Sequence, residues 1–426
     1  MDVSIQPSTV KGTTYAPPSK SYTHRAVAIA SLGKESEVSY PLLSKDTLAT
    51  VHACEAFGAT IRIIEGKEDV LRISGVDGQP TTPENVIDAA NSGTTLRFMI
   101  AIAGLIDGAA VLTGDASLRK RPNIPLLKAM NELGAVAFST KGDGTAPIVV
   151  RGRLKGGKTT VDGSISSQFI SGLLLACPFV EKDTTIRVDG ELKSRPYVEI
   201  TIDMLKNAGV KLFTDSTQFT IPCMQSIDVG PYMIPGDFSS ASYLLAAGAI
   251  TNSKVVVKNL FPSKQGDVAI ITILQQMGAN VEWNQKKGVV TVDGADLKGI
   301  RIDAGAHPDL VPTIAILGAC AKGVTQITNA AHLRYKETDR LTAMSTELAK
   351  MGAKVKQLSD GLIIEESHLH GARLCGYNDH RIVMALTIAG LVAEGETTID
   401  SAESVGVSYP DFFDDLFSMD ANIRVE

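Results

Sequence analysis

Cations and small hydroxyl residues stand where an apolar segment begins near the amino terminus. The stretch PPSKSYTHRA, residues 17–26, places Lys20, His24 and Arg25 among serine and threonine, and the apolar run VAIASL follows at once. The first four amides of a helix have no partner within the helix, and together with the helix dipole they attract anions. The stretch therefore predicts an anion site, although serine and threonine are also ordinary helix caps.

Similar polar helix starts recur along the chain. They read NSGTTLRFMIAI, SISSQFISGLLL, GDFSSASYLLAA, HPDLVPTIAILG and NDHRIVMALTIA, and for GDFSSAS a simple capping role is the favoured interpretation. The spacings are 72, 74, 71, 72 and 70 residues between the markers Lys20, Ser92, Ser166, Asp237, Asp309 and Asp379. Such a constant period predicts a repeated structural unit.

A second signal keeps the same period. A glycine ends a helix-like run and precedes a strand-like run at Gly58, Gly134, Gly209, Gly278 and Gly352, and Asp420 takes the glycine place in a weaker sixth copy. Glycine at a helix end followed by β-branched residues is a common helix-to-strand signal. The sequence therefore predicts an α/β protein of six split β-α-β-α-β-β units, arranged as two pseudo-symmetric domains of three.

Two proline-rich segments mark the expected crossings between these domains. YAPPSK at 15–20 and PYMIPGD at 231–237 each precede a polar helix start. We expect one discontinuous domain from residues 1–18 and 235–426 and a second from 19–234, with the active site in the cleft between them. We also expect the first of the six repeats to take its leading strand from the far end of the chain.

The bulk composition narrows the class of protein. The chain has 426 residues, a net charge of −6 and a pI near 5.7, which argue against a general binder of nucleic acid or membrane surfaces. No apolar leader opens the sequence, and its five cysteines are scattered without a CxxC pair. These features predict a cytoplasmic protein. No metal-ligand motif or P-loop occurs, so no cofactor or metal is expected.

Acidic residues stand among the cations of two segments. Asp309, in HPDLVP, has two interpretations, a helix cap and a general base. In HLRYKETDR, Glu337 stands beside cations and suits proton transfer, while the alternative for Glu337 and Asp339 is a surface salt-bridge ladder. Lys336 and Arg340 are four residues apart, so in a helix they would share a face. His380, in NDHR, could serve function, but the alternative is a histidine that simply satisfies its hydrogen bonds at a helix start.

The motifs together resemble the 5-enolpyruvylshikimate-3-phosphate synthase family. They occur in this order: PPSKSYTHRA, NSGTTLRF, RKRP, GSISSQF, SRPY, GDFSSAS, QGD, KETDR, YNDHR and SYPDFF. The resemblance covers nearly the whole chain. It implies two inside-out α/β barrel domains of three repeats each, which close on the substrates. The implied reaction transfers the enolpyruvyl group of phosphoenolpyruvate to the 5-hydroxyl of shikimate 3-phosphate and releases phosphate.

The resemblance also implies roles for individual residues. Catalysis would fall to Asp309, Glu337, Lys336 and Lys20. Shikimate 3-phosphate would contact Lys20, Ser21, Arg25, Ser166, Ser167, Gln168, Ser194, Tyr197, Asp309 and Lys336. Phosphoenolpyruvate would contact Lys20, Asn91, Gly93, Thr94, Arg121, Gln168, Arg340, His380 and Arg381. No cofactor, metal, nucleic acid or membrane is implied, and the family leads us to expect a monomer.

Four positions depart from the pattern of some members. Pro18, Ser92, His332 and Val407 stand where some members have Gly, Ala, Asn and Lys. The valine removes one expected phosphoenolpyruvate contact. Gly93 has no side chain, so we expect glyphosate, a phosphonate that competes with phosphoenolpyruvate in this family, to fit.

Three alternatives share parts of these features. The sister enolpyruvyl transferase acting on a UDP-aminosugar has the same fold, but the LRKRP region here lacks its reactive cysteine. A ring-shaped DNA clamp also repeats small α/β units, but it needs cations along inward helix faces, whereas here they concentrate at helix starts. An inactive phosphate-binding relative is disfavoured because the acids and lysines named for catalysis are present.

Overall fold

The computed structural model describes residues 1–64, 66, 69–215 and 217–426. The chain divides into two compact units, which we call the first unit (Met1–Pro17 with Pro235–Glu426) and the second unit (Pro18–Ile234). These boundaries differ by one residue from those expected at the first proline-rich crossing. In the described part of the chain, no helix is both long and apolar enough to cross a bilayer.

The chain enters through two strands of the first unit and then builds the second unit. The two entering strands are β1 (Val3–Ile5) and β2 (Gly12–Tyr15). The second unit has strands β3 (Glu35–Ser39), β4 (Thr60–Ile64), β5 (Val70–Ser74), β6 (Ile87–Asp88), β7 (Ala109–Thr113), β8 (Val136–Ser139), β9 (Ile148–Arg151), β10 (Gly157–Asp162), β11 (Thr184–Asp189), β12 (Phe213–Thr214), β13 (Gln218–Ile221) and β14 (Tyr232–Met233). Its helices are α1 (Lys20–Leu32), α2 (Lys45–Ala56), α3 (Gly93–Ile102), α4 (Ile124–Glu132), α5 (Ser167–Ala176) and α6 (Arg195–Asn207).

The chain then completes the first unit. The remaining strands are β15 (Val255–Lys258), β16 (Asn280–Asn284), β17 (Val289–Asp293), β18 (Arg301–Asp303), β19 (Val324–Thr328), β20 (Lys354–Gln357), β21 (Leu362–Glu365), β22 (Arg373–Leu374), β23 (Thr397–Ile399) and β24 (Ile423–Val425). The helices are α7 (Phe238–Ile250), α8 (Ala269–Met277), α9 (Val311–Cys320), α10 (Arg340–Lys350), α11 (His380–Gly390) and α12 (Phe412–Ser418).

Each repeat forms one four-stranded sheet with two helices, as the sequence predicts. In the second repeat the chain runs β6-α3-β7-α4-β8-β9, and the sheet order is β6-β7-β9-β8. β6 and β7 are parallel, while β9 is antiparallel to both β7 and β8. The described residues form six such sheets, three in each unit.

Three sheets are completed by strands from distant parts of the chain. β14, at residues 232–233, pairs in parallel with β3 and supplies the leading strand of the first repeat. The expectation that this strand comes from the far end of the chain is therefore wrong. β2 leads the β15 sheet, and β1 inserts between β23 and β24. The amino-terminal residues thus close two repeats of the first unit.

The glycine markers occupy one recurring backbone position. Gly58, Gly134, Gly209, Gly278 and Gly352 follow α2, α4, α6, α8 and α10, with φ of +103°, +105°, +88°, +104° and +85°. Glycine adopts this left-handed backbone without the Cβ penalty of other residues. Asp420, after α12, takes the same place with φ +71°. The backbone geometry therefore explains the period that the sequence shows.

The helix that opens each repeat is buried on all sides. Every residue of α7 from Phe238 to Ala249 is buried, whereas α8 buries only one face. A helix that is hydrophobic all round belongs in a core. Small residues let these helices approach closely, since a Cβ added at Gly172 of α5 would lie 2.7 Å from the Arg97 carbonyl oxygen of α3. The sheets surround these helices, which is the inside-out arrangement.

Candidate active site

The starts of α3 and α5 meet in the second unit. The Gln168 amide nitrogen donates to Thr94 Oγ1 at 2.8 Å. The Gln168 amide oxygen accepts from Arg97 Nη1 at 2.6 Å. Arg97 Nη1 also donates to Ser166 Oγ at 3.4 Å. Ser166 and Ser92 cap their helices by accepting from backbone amides. Two helix amino termini are thus joined around one guanidinium.

A second guanidinium lies beside the first turn of α3. Arg121 Nη2 donates to Asn91 Oδ1 at 3.0 Å. A Cβ added at Gly93 would lie 3.2 Å from Arg121 Nη1 and 3.4 Å from Arg97 Nη1. The predicted phosphoenolpyruvate contacts Asn91, Gly93, Thr94, Arg121 and Gln168 therefore form one group, in which cations and helix amides suit an anion.

Lys20 begins α1 and lies against a buried acid. Its Nζ is 3.2 Å from Asp46 Oδ2, in a side chain that is 4% exposed. Asp46 stands in the first turn of α2, between Ser44 and Thr47, which form the capping box of this helix. The carboxylate fixes the ammonium at the helix start, where the sequence predicts a substrate contact.

Arg25 is buried and joins α1 to α6. Its Nε donates to Thr201 Oγ1 at 2.8 Å, its Nη2 to the Tyr197 carbonyl at 2.8 Å and its Nη1 to the Ser21 carbonyl at 2.9 Å. Burial lowers the pKa of Arg25 to about 10. The Tyr197 amide in turn donates to the carbonyl of Ser194, whose φ is +54°. Arg25 therefore fixes the geometry of several predicted residues.

In the first unit, Arg340 is surrounded by three carboxylates. Its Nη1 lies 2.9 Å from Asp309 Oδ1 and its Nη2 lies 2.7 Å from Glu337 Oε2. Its Nε and Nη2 also donate to both oxygens of Asp379, at 2.8 and 3.1 Å. These acids outweigh the opposing effect of burial and raise the pKa of Arg340. The guanidinium therefore stays charged in a core that links three segments of the chain.

Asp309 receives two arginines and a lysine. Besides Arg340, Arg381 Nη2 donates to its Oδ2 at 3.1 Å, and Lys336 Nζ lies 3.7 Å from its Oδ1. Burial alone would raise the pKa of Asp309, but the three cations outweigh burial and hold the pKa well below its ordinary value. The Asp309 carboxylate, in the 3-10 helix Pro308–Leu310, therefore serves to pair with these three cations.

Lys336 and Glu337 precede α10 and do not belong to it. The helix begins at Arg340, so the predicted helical face shared by Lys336 and Arg340 is wrong. The physical reason is Asp339, whose side chain caps α10 by accepting from the Thr342 amide at 3.1 Å. Glu337 is only 14% exposed, which excludes a surface ladder for this residue, whereas the more exposed Asp339 pairs with Arg334 at 2.7 Å. Burial, the largest cause, lowers the pKa of Lys336 although Asp309 opposes it.

His380 and Arg381 lie at the start of α11. Asp379 caps this helix by accepting from the Arg381 amide at 3.0 Å. His380 is buried, with Nδ1 at 3.9 Å from Asp379 Oδ1. The predicted residues Asp309, Lys336, Glu337, Arg340 and Arg381 are therefore brought together, and His380 lies next to them.

Three participants were not among the predicted site residues. They are Asp46, Arg97 and Asp379. Asp379 and Arg340 are 39 residues apart, and Arg97 and Gln168 are 71 apart, so no local pattern links them. The repeat period offers a partial signal, because Asp379 and Ser166 mark equivalent helix starts. Among the described residues, no cluster of three His, Cys, Asp or Glu side chains could hold a metal ion.

The departing positions have defined places. Ser92 caps α3, accepting from the Thr95 amide at 3.1 Å. His332 is buried in a short 3-10 helix, Ala331–Tyr335, and Val407 ends another, Ala402–Val407.

Comparison with known proteins identifies the family. Residues 5–416 match the profile of EPSP synthase (3-phosphoshikimate 1-carboxyvinyltransferase). The proteins named 3-phosphoshikimate 1-carboxyvinyltransferase from Methanocella arvoryzae and Methanosarcina acetivorans are 59% and 58% identical over 99% and 100% of this chain and 99% of their own lengths. A solved structure of EPSP synthase from Acinetobacter baumannii superposes with a TM-score of 0.84 at 30% identity, covering 100% of this chain and 99% of that one. The chain therefore belongs to the EPSP synthase (3-phosphoshikimate 1-carboxyvinyltransferase) family.

Proposed function

We propose that this chain transfers the enolpyruvyl group of phosphoenolpyruvate to the 5-hydroxyl of shikimate 3-phosphate and releases phosphate. Relatives with that activity in their names are 57–59% identical over the full length. The observation that carries the residue-level proposal is the ionised Asp309 held by Arg340, Arg381 and Lys336. That cluster joins a proton acceptor to cations suited to a phosphorylated carboxylate.

The second unit would bind shikimate 3-phosphate and part of phosphoenolpyruvate. Ser166, Ser167 and Gln168 stand at the amino terminus of α5, where the helix dipole favours a phosphate. Arg121 and the amide of Gly93 would take an anionic group of phosphoenolpyruvate, while Lys20 contacts both substrates. The remaining contacts with shikimate 3-phosphate are Ser21, Ser194 and Tyr197. Arg25 would contribute chiefly by holding Ser21 and Tyr197 in place, because its guanidinium donates to their carbonyl oxygens.

The first unit would supply the other cations and the proton-transfer groups. Arg340 and Arg381 bind phosphoenolpyruvate, with His380 beside them. Both substrates carry a phosphate and a carboxylate, so they repel each other, and a dense set of cations is needed to hold them together.

The chemistry requires two proton movements at carbon and one at oxygen. Glu337, with Lys336 nearby, gives a proton to the methylene carbon of phosphoenolpyruvate, which leaves positive character at the neighbouring carbon. The 5-hydroxyl oxygen bonds to that carbon and passes its proton to Asp309. The reverse transfer then returns a proton from the new methyl group to Glu337 while the carbon–oxygen bond to phosphate breaks, and the hydroxyl proton held by Asp309 passes to the departing phosphate. Cations stabilise the departing phosphate.

The strongly lowered pKa of Asp309 would make it a weak base in the protein alone. Arriving phosphate and carboxylate groups compete for Arg381 and Lys336. As those cations turn to the ligand, they stabilise the carboxylate less, and its proton affinity rises. The base would thus strengthen when the substrates are bound. We further propose a monomeric cytoplasmic enzyme that needs no cofactor.

Phosphate release tests this function. Mixing the protein with both substrates should release phosphate at a rate far above that with either substrate alone. The acceptor is then replaced by UDP-N-acetylglucosamine, the substrate class of the sister transferase. Turnover with the nucleotide sugar, or equal release when shikimate 3-phosphate is omitted, would contradict the proposal.

A further inference from the structure

A buried carboxylate in the first unit has no part in the mechanism above. Glu347 of α10 is 0% exposed. Its Oε2 accepts from the Cys375 amide at 3.0 Å, and its Oε1 accepts from the Tyr377 hydroxyl at 2.8 Å. Lys350 Nζ donates to both oxygens, at 2.9 and 2.8 Å. The carboxylate is therefore fixed by its donors, two of which belong to the segment that leads into α11.

That segment, residues 375–379, has an unusual backbone. Tyr377 and Asn378 have consecutive φ values of +56° and +52°. Residues with a Cβ keep this conformation only where their surroundings determine it, and such positions often serve function. The Gly376 amide donates to Asp400 Oδ1 at 2.7 Å, and a Cβ at Gly376 would lie 2.4 Å from the Asp400 carbonyl. The 375–379 loop is thus tightly held.

One helix holds both ends of this loop. Arg340, the first residue of α10, donates to both oxygens of Asp379. Glu347, seven residues later, accepts from Cys375 and Tyr377. Seven residues are two helical turns, roughly 10 Å along the same face. A rigid helix therefore sets the distance between the beginning of the loop and the acid that orients Arg340 and caps α11.

We propose that Glu347, acting with Tyr377, is a positioning residue for the phosphoenolpyruvate-binding arginines. It fixes the 375–379 loop, so that Asp379 orients Arg340 and the start of α11 presents Arg381. Glu347 itself touches no substrate. This inference rests on the proposed function above and adds a residue from outside the predicted site.

The test compares three variants under conditions where each is folded. Glu347→Ala removes both acceptors, Glu347→Gln keeps an oxygen for the Cys375 amide, and Tyr377→Phe removes a single hydroxyl. We expect Glu347→Ala to raise the KM for phosphoenolpyruvate roughly 10-fold or more, because small misplacements of binding groups cost much activity. Tyr377→Phe should raise it less, and Glu347→Gln should restore part of the loss. The KM for shikimate 3-phosphate should change less than about twofold.

The matched controls are Glu394→Gln and Tyr15→Phe. The Glu394 side chain is 80% exposed, and Tyr15 is 59% exposed. Both should leave each KM unchanged. If Tyr377→Phe and Glu347→Gln lower the melting temperature but keep the KM for phosphoenolpyruvate, or raise both KM values equally, the positioning role is overturned. Absence of turnover in the unaltered protein would overturn the proposed function and this inference with it. Turnover in the unaltered protein together with an unchanged KM for phosphoenolpyruvate in the variants would overturn the positioning role alone.

Discussion

The guanidinium of Arg340 and the carboxylate of Asp379 form a bidentate pair, with Nε at 2.8 Å and Nη2 at 3.1 Å from the two acid oxygens. The side chains are 2% and 0% exposed. Paired hydrogen bonds between charged groups are among the strong ones in proteins. The pair joins the first residue of α10 to the cap of α11, so it fixes the starts of two helices from successive repeats.

Breaking this pair should destabilise the first unit. Asp379→Asn leaves a buried guanidinium without one of its carboxylates, and such losses cost about 3 kcal/mol. The single tryptophan of the chain, Trp283, lies in the first unit, so its fluorescence during urea unfolding reports on that unit. Asp296→Asn, which removes an exposed partner of Lys322, is the control. Equal unfolding midpoints for the two variants would count against a structural role of the pair.

Replacement of Glu337 should separate binding from chemistry. Glu337→Gln keeps the shape and one oxygen for Arg340, but it loses the proton-transfer group, so kcat should fall about 100-fold or more while both KM values change little. Steady-state phosphate release gives the three constants. Asp339→Asn, two residues away, should keep its kcat because asparagine also caps helices. A Glu337→Gln enzyme with normal kcat would remove Glu337 from the proton path.

Asp309 should make the stability of the protein depend on acid pH. Its folded pKa lies below the ordinary value of 3.8, so the ionised form contributes stability that is complete above about pH 5 and is lost as the pH falls through the folded pKa. Asp309→Asn removes that contribution at every pH. From pH 5 to 3 the unaltered protein should lose stability more steeply, by at most about 1.4 kcal/mol per pH unit. Parallel curves of urea midpoint against pH would refute this.

A methyl group at Gly93 should interfere with the anion site of the second unit. The added Cβ would lie 3.2 Å from Arg121 Nη1, so the Arg121 side chain must shift by a few tenths of an ångström, whereas the 3.5 Å approach to the Gln168 amide oxygen is an ordinary contact. Gly93→Ala should therefore raise the KM for phosphoenolpyruvate several-fold, by roughly 1 kcal/mol of lost binding. Gly406→Ala, where a Cβ meets nothing within 4 Å, is the control. Unchanged kinetics for Gly93→Ala would place the ligand elsewhere.

The repeat architecture was largely predictable because it depends on local chemistry. A glycine such as Gly278 ends a helix with φ +104°, and Asp237 caps one, so each leaves a mark in its own segment. The pairing of Arg340 with Asp379 depends on tertiary packing and leaves no such mark. The four-residue spacing of Lys336 and Arg340 predicted a shared helical face. This prediction is wrong, because Asp339 caps α10 and the helix begins only at Arg340.

The most direct test follows both phosphates by 31P NMR after the protein is mixed with equimolar shikimate 3-phosphate and phosphoenolpyruvate. We predict that the phosphoenolpyruvate signal disappears and that an equal amount of inorganic phosphate appears. The signal of the 3-phosphate on the shikimate ring should persist at a changed chemical shift. Loss of the 3-phosphate signal, or phosphate formed from phosphoenolpyruvate without shikimate 3-phosphate, would contradict the account.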